Sequence, residues 1–464
     1  MAKVPARAPK ITPVHDPNDQ RYWDARDLEQ ELRRTFQICH ECRMCVTYCG
    51  SFPRLFEAID KAVDHGAEGA ETIGAETMRT VSDHCWQCKL CFIKCPYTAD
   101  EGAQELLDFP RLMAREKANR ARREGIPLVD RILGEPQLIG ALSVGPSAKL
   151  ANLVNANRLV RKVVEKVTGI SAHFPLPPIA SKSFTSWFAE HDPAPEAGQL
   201  GEVILFPTCY GDFNFPRVPE AAVRVLEING YEVDLPDGLT CCGMPNLDGG
   251  DVEAAKQKMR HNVEMLLPYV EQGLRIVVPG PTCGYTMKKE WPLYLGTPEA
   301  AKVAAATLDL MEFVDGLRKN KTLNKNFARG FGRVAYHAAC HLRAQKIAFP
   351  GARVLSQLPD TDVRIIERCS AVDGTWGMKA VYYEEGRRYA QKLASAIDSE
   401  REDEQITAVT DCSLAALRML KDSALVAKHP IELLAEAYAP SAAVSASSAG
   451  ASSKALAVGE EEEA

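Results

Sequence analysis

Short apolar and β-branched runs alternate with longer amphipathic stretches through the second half of the chain. The runs occupy residues 202–207, 231–236, 275–280, 333–338, 362–368 and 406–411. Two of the intervening stretches, VPEAAVRVLEING and DVEAAKQKMRHNVEMLLPYVEQG, have helical periodicity and end in a glycine placed as at a helix C-cap. Because strands alternate with helices, the pattern predicts α/β units with parallel strands.

Residues 25–125 show a different pattern, in which two dense cysteine clusters lie between helical segments. Residues 126–199 mix short helical pieces with the proline-rich stretch HFPLPPIASKSF, which predicts a helical and proline-rich linker. The remaining boundaries predict a flexible arm at 1–24, α/β units at 200–325 and 326–438, and a disordered Ala/Ser-rich acidic tail at 439–464. The expected fold class is therefore α+β and multidomain.

Composition narrows the class of protein. The chain has 464 residues and a formal net charge of −7, which gives no support to nucleic acid as a partner. It contains no apolar run of the roughly 18 residues that a membrane helix needs, and its first residues lack an apolar signal core. We therefore expect a cytoplasmic protein, in which the 15 cysteines stay reduced. Clustered reduced thiols point to metal.

The first two cysteine clusters share the spacing C-x2-C-x2-C-x3-C. Three cysteines two residues apart surround one face of a cubic cluster, and the fourth reaches the neighbouring cluster. Interleaving of this kind predicts two [4Fe–4S] sites, one held by Cys39, Cys42, Cys45 and Cys95 and the other by Cys85, Cys88, Cys91 and Cys49. Zinc is the alternative, but zinc sites usually pair two C-x2-C knuckles. The neighbouring His40 and His84 are expected to face solvent; the alternative is that they tune the potential of a cluster by hydrogen bonding to sulfur.

The later cysteines follow the predicted strands. Each of the six strands is followed within a few residues by a cysteine: Cys209, Cys241 with Cys242, Cys283, Cys340, Cys369 and Cys412. The last three follow Cys209, Cys241 and Cys283 by 131, 128 and 129 residues, which indicates two copies of one unit. Ligands of open α/β sheets bind at the carboxyl ends of the strands. We therefore expect the two units to face each other across a shared cysteine-lined site.

The motifs FPTCY, TCCGMP and PGPTCGYTM resemble the cysteine-rich CCG domain, and YHAACHLR with RCSAVDGTWGMK and VTDCSLA resembles a degenerate second copy. With the two ferredoxin-type motifs, the order resembles the iron–sulfur subunits of anaerobic glycerol-3-phosphate dehydrogenase and glycolate oxidase, and heterodisulfide-reductase-related proteins. The resemblance implies a further, non-cubane cluster on Cys209, Cys241, Cys242 and Cys283, with Cys340, Cys369 and Cys412 as additional candidate ligands. Thr286, Ser370 and Ala415 stand where fuller members have cysteine, so two complete clusters are not expected.

Several residues near these motifs have alternative interpretations. Gly243 suits a turn that needs a positive φ and that points both neighbouring thiols at one site. His337 and His341, on either side of Cys340, either cap and pack or serve as ligands or proton donors. Trp376 either forms a wall of the site or belongs to the aromatic core.

Function follows from these motifs together. No G-x-G-x-x-G and no P-loop follows a strand, so no flavin or nicotinamide site is expected on this chain. The leading hypothesis is an electron-transfer subunit of an oxidoreductase, working between a separate dehydrogenase, such as a flavoprotein, or a non-haem iron protein, and a quinone or disulfide acceptor. A catalytic thiol–disulfide reductase is the main alternative, and a redox sensor or scaffold is the third. The stretch ARREGIPLVDRILGEPQLIGALSVG is either a packed linker or a peripheral contact with the cytoplasmic face of a membrane.

Overall fold

A computed structural model of the chain describes residues 12–372, 374–401 and 406–438. It shows an α+β protein with two parallel sheets, as the strand and helix pattern predicts. The predicted tail at 439–464 and the first eleven residues of the predicted arm lie outside the described residues.

The N-terminal region is helical. Its helices span Ala25–Cys42, Ser51–Asp64, Ala75–Asp83, Leu90–Lys94 and Phe109–Glu124. The first begins at Asp24, whose carboxylate accepts hydrogen bonds from the N–H groups of Arg26 and Asp27. Leu28, Leu32 and Phe36 follow at helical spacing and are buried, so this face packs into the core of the region.

The first α/β unit contains a four-stranded parallel sheet in the order β2-β1-β3-β4. Its strands are β1 (Gly201–Leu205), β2 (Tyr231–Asp234), β3 (Arg275–Val278) and β4 (Thr307–Asp309). Its helices span Cys209–Phe213, Arg217–Ile228, Met244–Asp248, Val252–Glu271, Pro281–Tyr285, Trp291–Leu295, Pro298–Ala306 and Leu310–Lys319, with a π-helical segment at Thr286–Glu290. The strand pattern predicts the first three strands and misses β4, which is only three residues long.

The second unit contains a three-stranded parallel sheet in the order β6-β5-β7. Its strands are β5 (Gly332–His337), β6 (Thr361–Ile366) and β7 (Thr407–Thr410). Its helices span Cys340–Ala344, Pro350–Leu355, Tyr383–Asp398, Ser413–Ser423 and Pro430–Tyr438. Each sheet places its first strand between its second and its third, so the two sheets share one strand order.

One hydrophobic core joins the two units. Val203 and Leu205 of β1 belong to the same buried cluster as Val334 of β5 and Val409 of β7. Ile204, on the opposite face of β1, belongs to a separate cluster with the cysteines of the first unit. Because side chains alternate along a strand, β1 contributes to both cores.

The predicted arm and linker are more structured than expected. Residues 20–23 form a 3-10 helix, Tyr22 is fully buried, and Asn18 donates a hydrogen bond to the carbonyl of Tyr294. Residues 12–24 therefore pack on the first α/β unit, which differs from the expectation of a flexible arm. Between the N-terminal region and β1, helices span Leu128–Leu133, Pro136–Ser143, Ala148–Ala156, Arg158–Thr168 and Phe184–Phe188. Within the described residues, no helix is long and apolar enough to cross a membrane.

Candidate functional site

Two small cavities in the helical region are each lined by four cysteines. The first is lined by Cys39, Cys42, Cys45 and Cys95, and the second by Cys49, Cys85, Cys88 and Cys91. Each cavity therefore takes three cysteines from one motif and the fourth from the other. The rest of the first cavity is formed by apolar side chains, including Ile38, Phe56 and Leu107. Four thiols within an apolar shell are a donor set suited to an iron–sulfur cluster.

A shared backbone turn shapes both cysteine loops. Arg43 follows Cys42 with φ 51°, and Lys89 follows Cys88 at the equivalent position with φ 62°. A left-handed conformation is uncommon for residues other than glycine, and it commonly marks a functional constraint. The turn reverses the chain after the second cysteine, so that the third also reaches the cavity.

The thiols of each set lie close enough to influence one another electrostatically. Burial, with a smaller contribution from Cys95 and Cys42, raises the pKa of the Cys45 thiol to about 12. Burial likewise raises the pKa of the Cys95 thiol to about 11. Ionisation is unfavourable because burial removes the charged sulfur from water, and repulsion between neighbouring sulfurs adds to this; a bound cation reverses that balance. Among residues 12–372, 374–401 and 406–438, no group of three or more His, Cys, Asp or Glu side chains forms a preformed site for a metal ion.

A third group of cysteines lies at the carboxyl ends of the strands in the first α/β unit. The sulfurs of Cys209 and Cys241 are 4.0 Å apart, and Cys242 lies against both Cys241 and Cys283. Hydrogen bonds donated by the thiols of Cys209 and Cys242 hold the pKa of Cys241 well below its ordinary value. The four residues expected to form this site are together.

Backbone geometry and buried hydrogen bonds hold the paired cysteines in place. Gly243 has φ +90°, and a Cβ there would lie 3.1 Å from the carbonyl oxygen of Ala255, so both the backbone conformation and the tight contact favour glycine. The buried Asn262 side chain donates to the carbonyl of Cys241 at 3.1 Å. The indole N–H of Trp291 donates to the carbonyl of Cys242 at 2.9 Å.

The three cysteines of the second unit divide between two places. Cys412 interacts electrostatically with Cys283 and therefore lies near the third group. Cys340 begins a helix that packs against the helix Pro281–Tyr285, which carries Cys283. Cys369 instead packs against the core of the N-terminal helical region. The two units thus face each other at their strand ends, and the contacts of Cys369 are with the helical region.

The segment that carries the third cysteine group matches a known family. Residues 203–288 match a family model described as CCG, cysteine-rich domain. The chain is 30% identical to lactate utilization protein A of Geobacillus kaustophilus (strain HTA426), over 38% of this chain and 75% of that protein. It belongs to the CCG-domain family of iron–sulfur oxidoreductase components.

Two further relatives are components of larger enzymes. The chain is 25% identical to one subunit of the anaerobic glycerol-3-phosphate dehydrogenase of Escherichia coli (strain K12), over 66% of this chain and 76% of that protein. It is 30% identical to one subunit of the fumarate reductase (CoM/CoB) of Methanothermobacter marburgensis, over 50% of this chain and 46% of that protein. As a CCG-domain family member, this chain is an iron–sulfur component of an oxidoreductase that has partner subunits.

A buried histidine joins two of the cysteine sites of this CCG-domain protein. His341 Nε2 donates to the carbonyl of Gln87, between Cys85 and Cys88, at 3.0 Å. Its Nδ1 accepts from the hydroxyl of Thr282, next to Cys283, at 3.0 Å. Burial lowers the pKa of His341 to about 4, so the ring is neutral at physiological pH. Because both ring nitrogens already have hydrogen-bond partners, a packing role for His341 fits better than a role as ligand or proton donor.

His337 and Trp376 also have structural roles. His337 Nε2 donates to the carbonyl of Arg368 at 3.0 Å, and its Nδ1 accepts from the hydroxyl of Thr410 at 2.9 Å, so neither nitrogen is available to a metal. Trp376 is buried against Trp86 and donates to the carbonyl of Asp83 at 2.8 Å. It therefore packs on the helical region rather than forming a wall of the third site.

The expectation that His40 and His84 face solvent is wrong. The side chain of His40 is only 15% exposed and bonds Asp60 at 2.8 Å. The side chain of His84 is 14% exposed and lies 2.9 Å from Glu385 of the second unit. Carboxylates on distant segments hold both rings, and single-sequence patterns do not reveal such partners.

Sequence reasoning missed Tyr210 and Phe52. Tyr210 is the residue after Cys209, and it interacts electrostatically with Cys209, Cys241, Cys283 and Cys412. Burial raises its pKa, so it carries a neutral hydroxyl beside the thiols. Phe52 is buried and lines both tetracysteine cavities. The only sequence signal for either residue is its position next to or near a motif cysteine.

Proposed function

We propose that the chain is the electron-transfer subunit of a multi-subunit oxidoreductase and carries electrons between a partner dehydrogenase and a quinone or disulfide acceptor. A flavoprotein or a non-haem iron protein would be the partner. The relatives support this proposal, since two of them are named as subunits of a dehydrogenase and of a reductase.

The two tetracysteine cavities would each hold a [4Fe–4S] cluster, and the group around Cys241 would hold a non-cubane cluster. Clusters bound in these places would supply one-electron carriers. The apolar walls of the cavities would exclude water, and the left-handed turns at Arg43 and Lys89 would fix the positions of the thiols. No flavin or nicotinamide is assigned to this chain, so two-electron organic chemistry would fall to the partner.

The observation that carries the proposal is the continuity of packed groups between the three sites. Phe52 lies between the first cavity and the second. His341 then connects the Gln87 carbonyl, in the second cysteine loop, to Thr282 beside Cys283. A rigid, buried succession of this kind suits electron transfer, because it keeps the sites close and excludes water from between them.

A cleft beside Cys209 favours the disulfide reductase as the second candidate function. It is lined by polar residues that include Ser183, Thr185 and Asp212, and Cys209 lies in its wall. An oxidised small molecule could therefore approach the third site directly. The serine and alanine at positions 370 and 415 of the second unit count against this alternative.

Anaerobic reconstitution with a Cys283→Ser variant tests the proposal. We expect the variant to retain the low-temperature EPR signals of both [4Fe–4S] clusters after reduction while losing the transfer of electrons to quinone or disulfide analogues. Cys369→Ser is the comparison variant, because Cys369 packs against the core of the N-terminal helical region. Equal transfer by the wild type and Cys283→Ser would overturn the role of the third site. Turnover of a disulfide by the isolated chain, with a chemical reductant and no partner, would favour the reductase.

A further inference from the structure

Three consecutive helices carry their large aliphatic residues on the solvent side. The helices span Pro136–Ser143, Ala148–Ala156 and Arg158–Thr168. We name their exposed aliphatic surface the outer apolar face, and it consists of Leu138, Ile139, Leu142, Leu150, Leu153, Val154, Leu159, Val160, Val163 and Val167. A surface helix normally turns such a stripe towards the core, so this arrangement is the reverse of the usual one.

The helix Arg158–Thr168 shows the reversal most clearly. Leu159, Val163 and Val167 follow one another at four-residue spacing and are 75%, 61% and 66% exposed. On the inward side, the buried Arg161 guanidinium donates to the carbonyl of Phe174 at 3.0 Å and to that of Ser171. A charged side chain fixes this helix to the protein, and its apolar stripe is left outside.

The other two helices are held in the same way by polar or small residues. Asn152 exchanges two hydrogen bonds of 2.8 Å with the backbone of Ile179, while Leu150 and Leu153 of the same helix are exposed. Gly140 packs directly against the ring of Phe213, while Leu142 of its helix is exposed. These inward contacts show that the helices are docked with a definite orientation.

The exposed charges around the outer apolar face are basic. Lys149, Arg158, Lys162 and Lys166 are exposed on the same helices. The only acidic residues in 126–169 are Asp130, Glu135 and Glu165, and each is bound within the protein, by Lys379, Lys258 and the backbone N–H of Ala172 respectively. The segment thus presents positive charge on a chain whose formal net charge is −7.

We propose that the outer apolar face docks in the interfacial layer of an anionic lipid bilayer. The aliphatic residues would enter the boundary of the acyl chains, and the lysines and Arg158 would contact acidic headgroups. Lys149, Lys162 and Lys166 border this face, and lysine is attracted by acidic headgroups but depleted at the centres of protein–protein interfaces. Composition therefore favours lipid over a protein partner. The proposal is independent of the function assigned to the cysteine sites.

Vesicle co-sedimentation of the full chain tests the proposal. We expect binding to vesicles of phosphatidylcholine with phosphatidylglycerol, and binding to pure phosphatidylcholine that is weaker by tenfold or more. The variant Leu159→Ser/Val163→Ser/Val167→Ser should lose most binding to the acidic vesicles. The variant Arg158→Gln/Lys162→Gln/Lys166→Gln should lose about fivefold in affinity per charge removed.

Matched variants elsewhere separate the face from general surface effects. Val381 and Val426 are 80% and 68% exposed outside this segment, so Val381→Ser/Val426→Ser should bind as the wild type does. Lys319→Gln/Lys321→Gln/Lys325→Gln removes three exposed charges from another part of the chain and should also leave binding unchanged. Far-UV circular dichroism of each variant checks that the helices remain folded.

Three outcomes would overturn the proposal. The first is failure of the wild-type chain to sediment with acidic vesicles. The second is binding of the two face variants that equals that of their controls. The third is a wild-type chain that does not bind vesicles but forms a complex with a partner subunit, or self-associates in light scattering, when the two face variants do not. That last result would assign the face to protein.

Discussion

His341 donates a hydrogen bond from Nε2 to the backbone carbonyl of Gln87, across 254 residues of sequence. Through its other nitrogen the same ring contacts Thr282, so one side chain of the second unit touches both a cysteine loop of the helical region and the first unit. Three parts of the chain therefore meet at one neutral imidazole.

Replacement of His341 by alanine should slow electron transfer between the helical region and the third site. The change also leaves the buried Gln87 carbonyl without its partner, which costs about 1–3 kcal/mol. Rapid-mixing oxidation of the reduced protein measures the rate, and iron analysis checks that cluster content is unchanged. His337→Ala is the matched control, because His337 is equally buried but bonds only within its own unit. Equal rates of electron transfer in His341→Ala and His337→Ala would show that His341 does not lie on the electron-transfer path.

Anaerobically prepared protein should contain about eight iron atoms in two [4Fe–4S] clusters, with more if the third site is also filled. The interleaved cavities make a sharper prediction. Cys49→Ser should disturb the cluster of the second loop, and Cys95→Ser that of the first, since each residue lines the cavity of the other motif. Iron analysis with low-temperature EPR of each variant distinguishes the two clusters. Stoichiometric zinc with no EPR signal after reduction would contradict both statements.

Gly243→Ala should destabilise the protein and disturb the third cysteine group. The left-handed conformation costs about 1–2 kcal/mol for a residue with a Cβ, and here the Cβ also meets the backbone of Ala255. Gly273→Ala is the matched control, because Gly273 has the same φ of +90° but no atom within 4 Å of the added Cβ. Chemical denaturation should show a lower free energy of unfolding in both variants, whereas only Gly243→Ala should alter the spectroscopic signature of the third site.

Stability should fall with acid in part through His429. Its Nε2 donates to the carbonyl of Pro279 at 3.0 Å, and burial lowers its pKa from 6.5 to about 3. The folded state therefore favours the neutral ring, so this contribution is complete above pH 6.5 and is lost as the pH falls towards 3. At pH 5.5 the loss is about 1.4 kcal/mol relative to neutral pH. Urea denaturation of the wild type and His429→Gln at pH 7.5 and 5.5 measures this loss of unfolding free energy. An identical pH dependence of the unfolding free energy in both proteins would contradict the role of His429.

The sequence predicts the elements that depend on local pattern. Six of the seven strands follow from apolar runs, and the positions of Cys209, Cys241, Cys242 and Cys283 follow from the rule that ligands gather at strand ends. The pattern does not predict β4, because three residues are too few to show a periodicity. That the 25–125 region is a ferredoxin-type domain and that the two α/β units are copies of one unit stay predictions.

The remaining differences between the structure and the sequence-based predictions arise from long-range packing. Cys369 follows β6 as expected, yet its segment turns towards the helical region, where Trp376 packs on Trp86. The ordering of residues 12–24 depends on Tyr22 and Asn18 reaching the first α/β unit. The amphipathic pattern of 136–168 is visible in the sequence, but which side faces outward is decided by Arg161 and Asn152 bonding inward. Such contacts have no signature in local periodicity.

The exchange of Cys49 and Cys95 between the two cavities bears on how the protein is synthesised. The cysteine set of the second cavity is incomplete until Cys91 has been translated, and that of the first until Cys95 has been translated, although the first motif begins at Cys39. Both donor sets are therefore completed within four residues of each other as the chain leaves the ribosome. The maturation machinery would meet two sites that become competent almost simultaneously, and a nascent chain stopped between the motifs would present the thiols of the first motif with neither set complete.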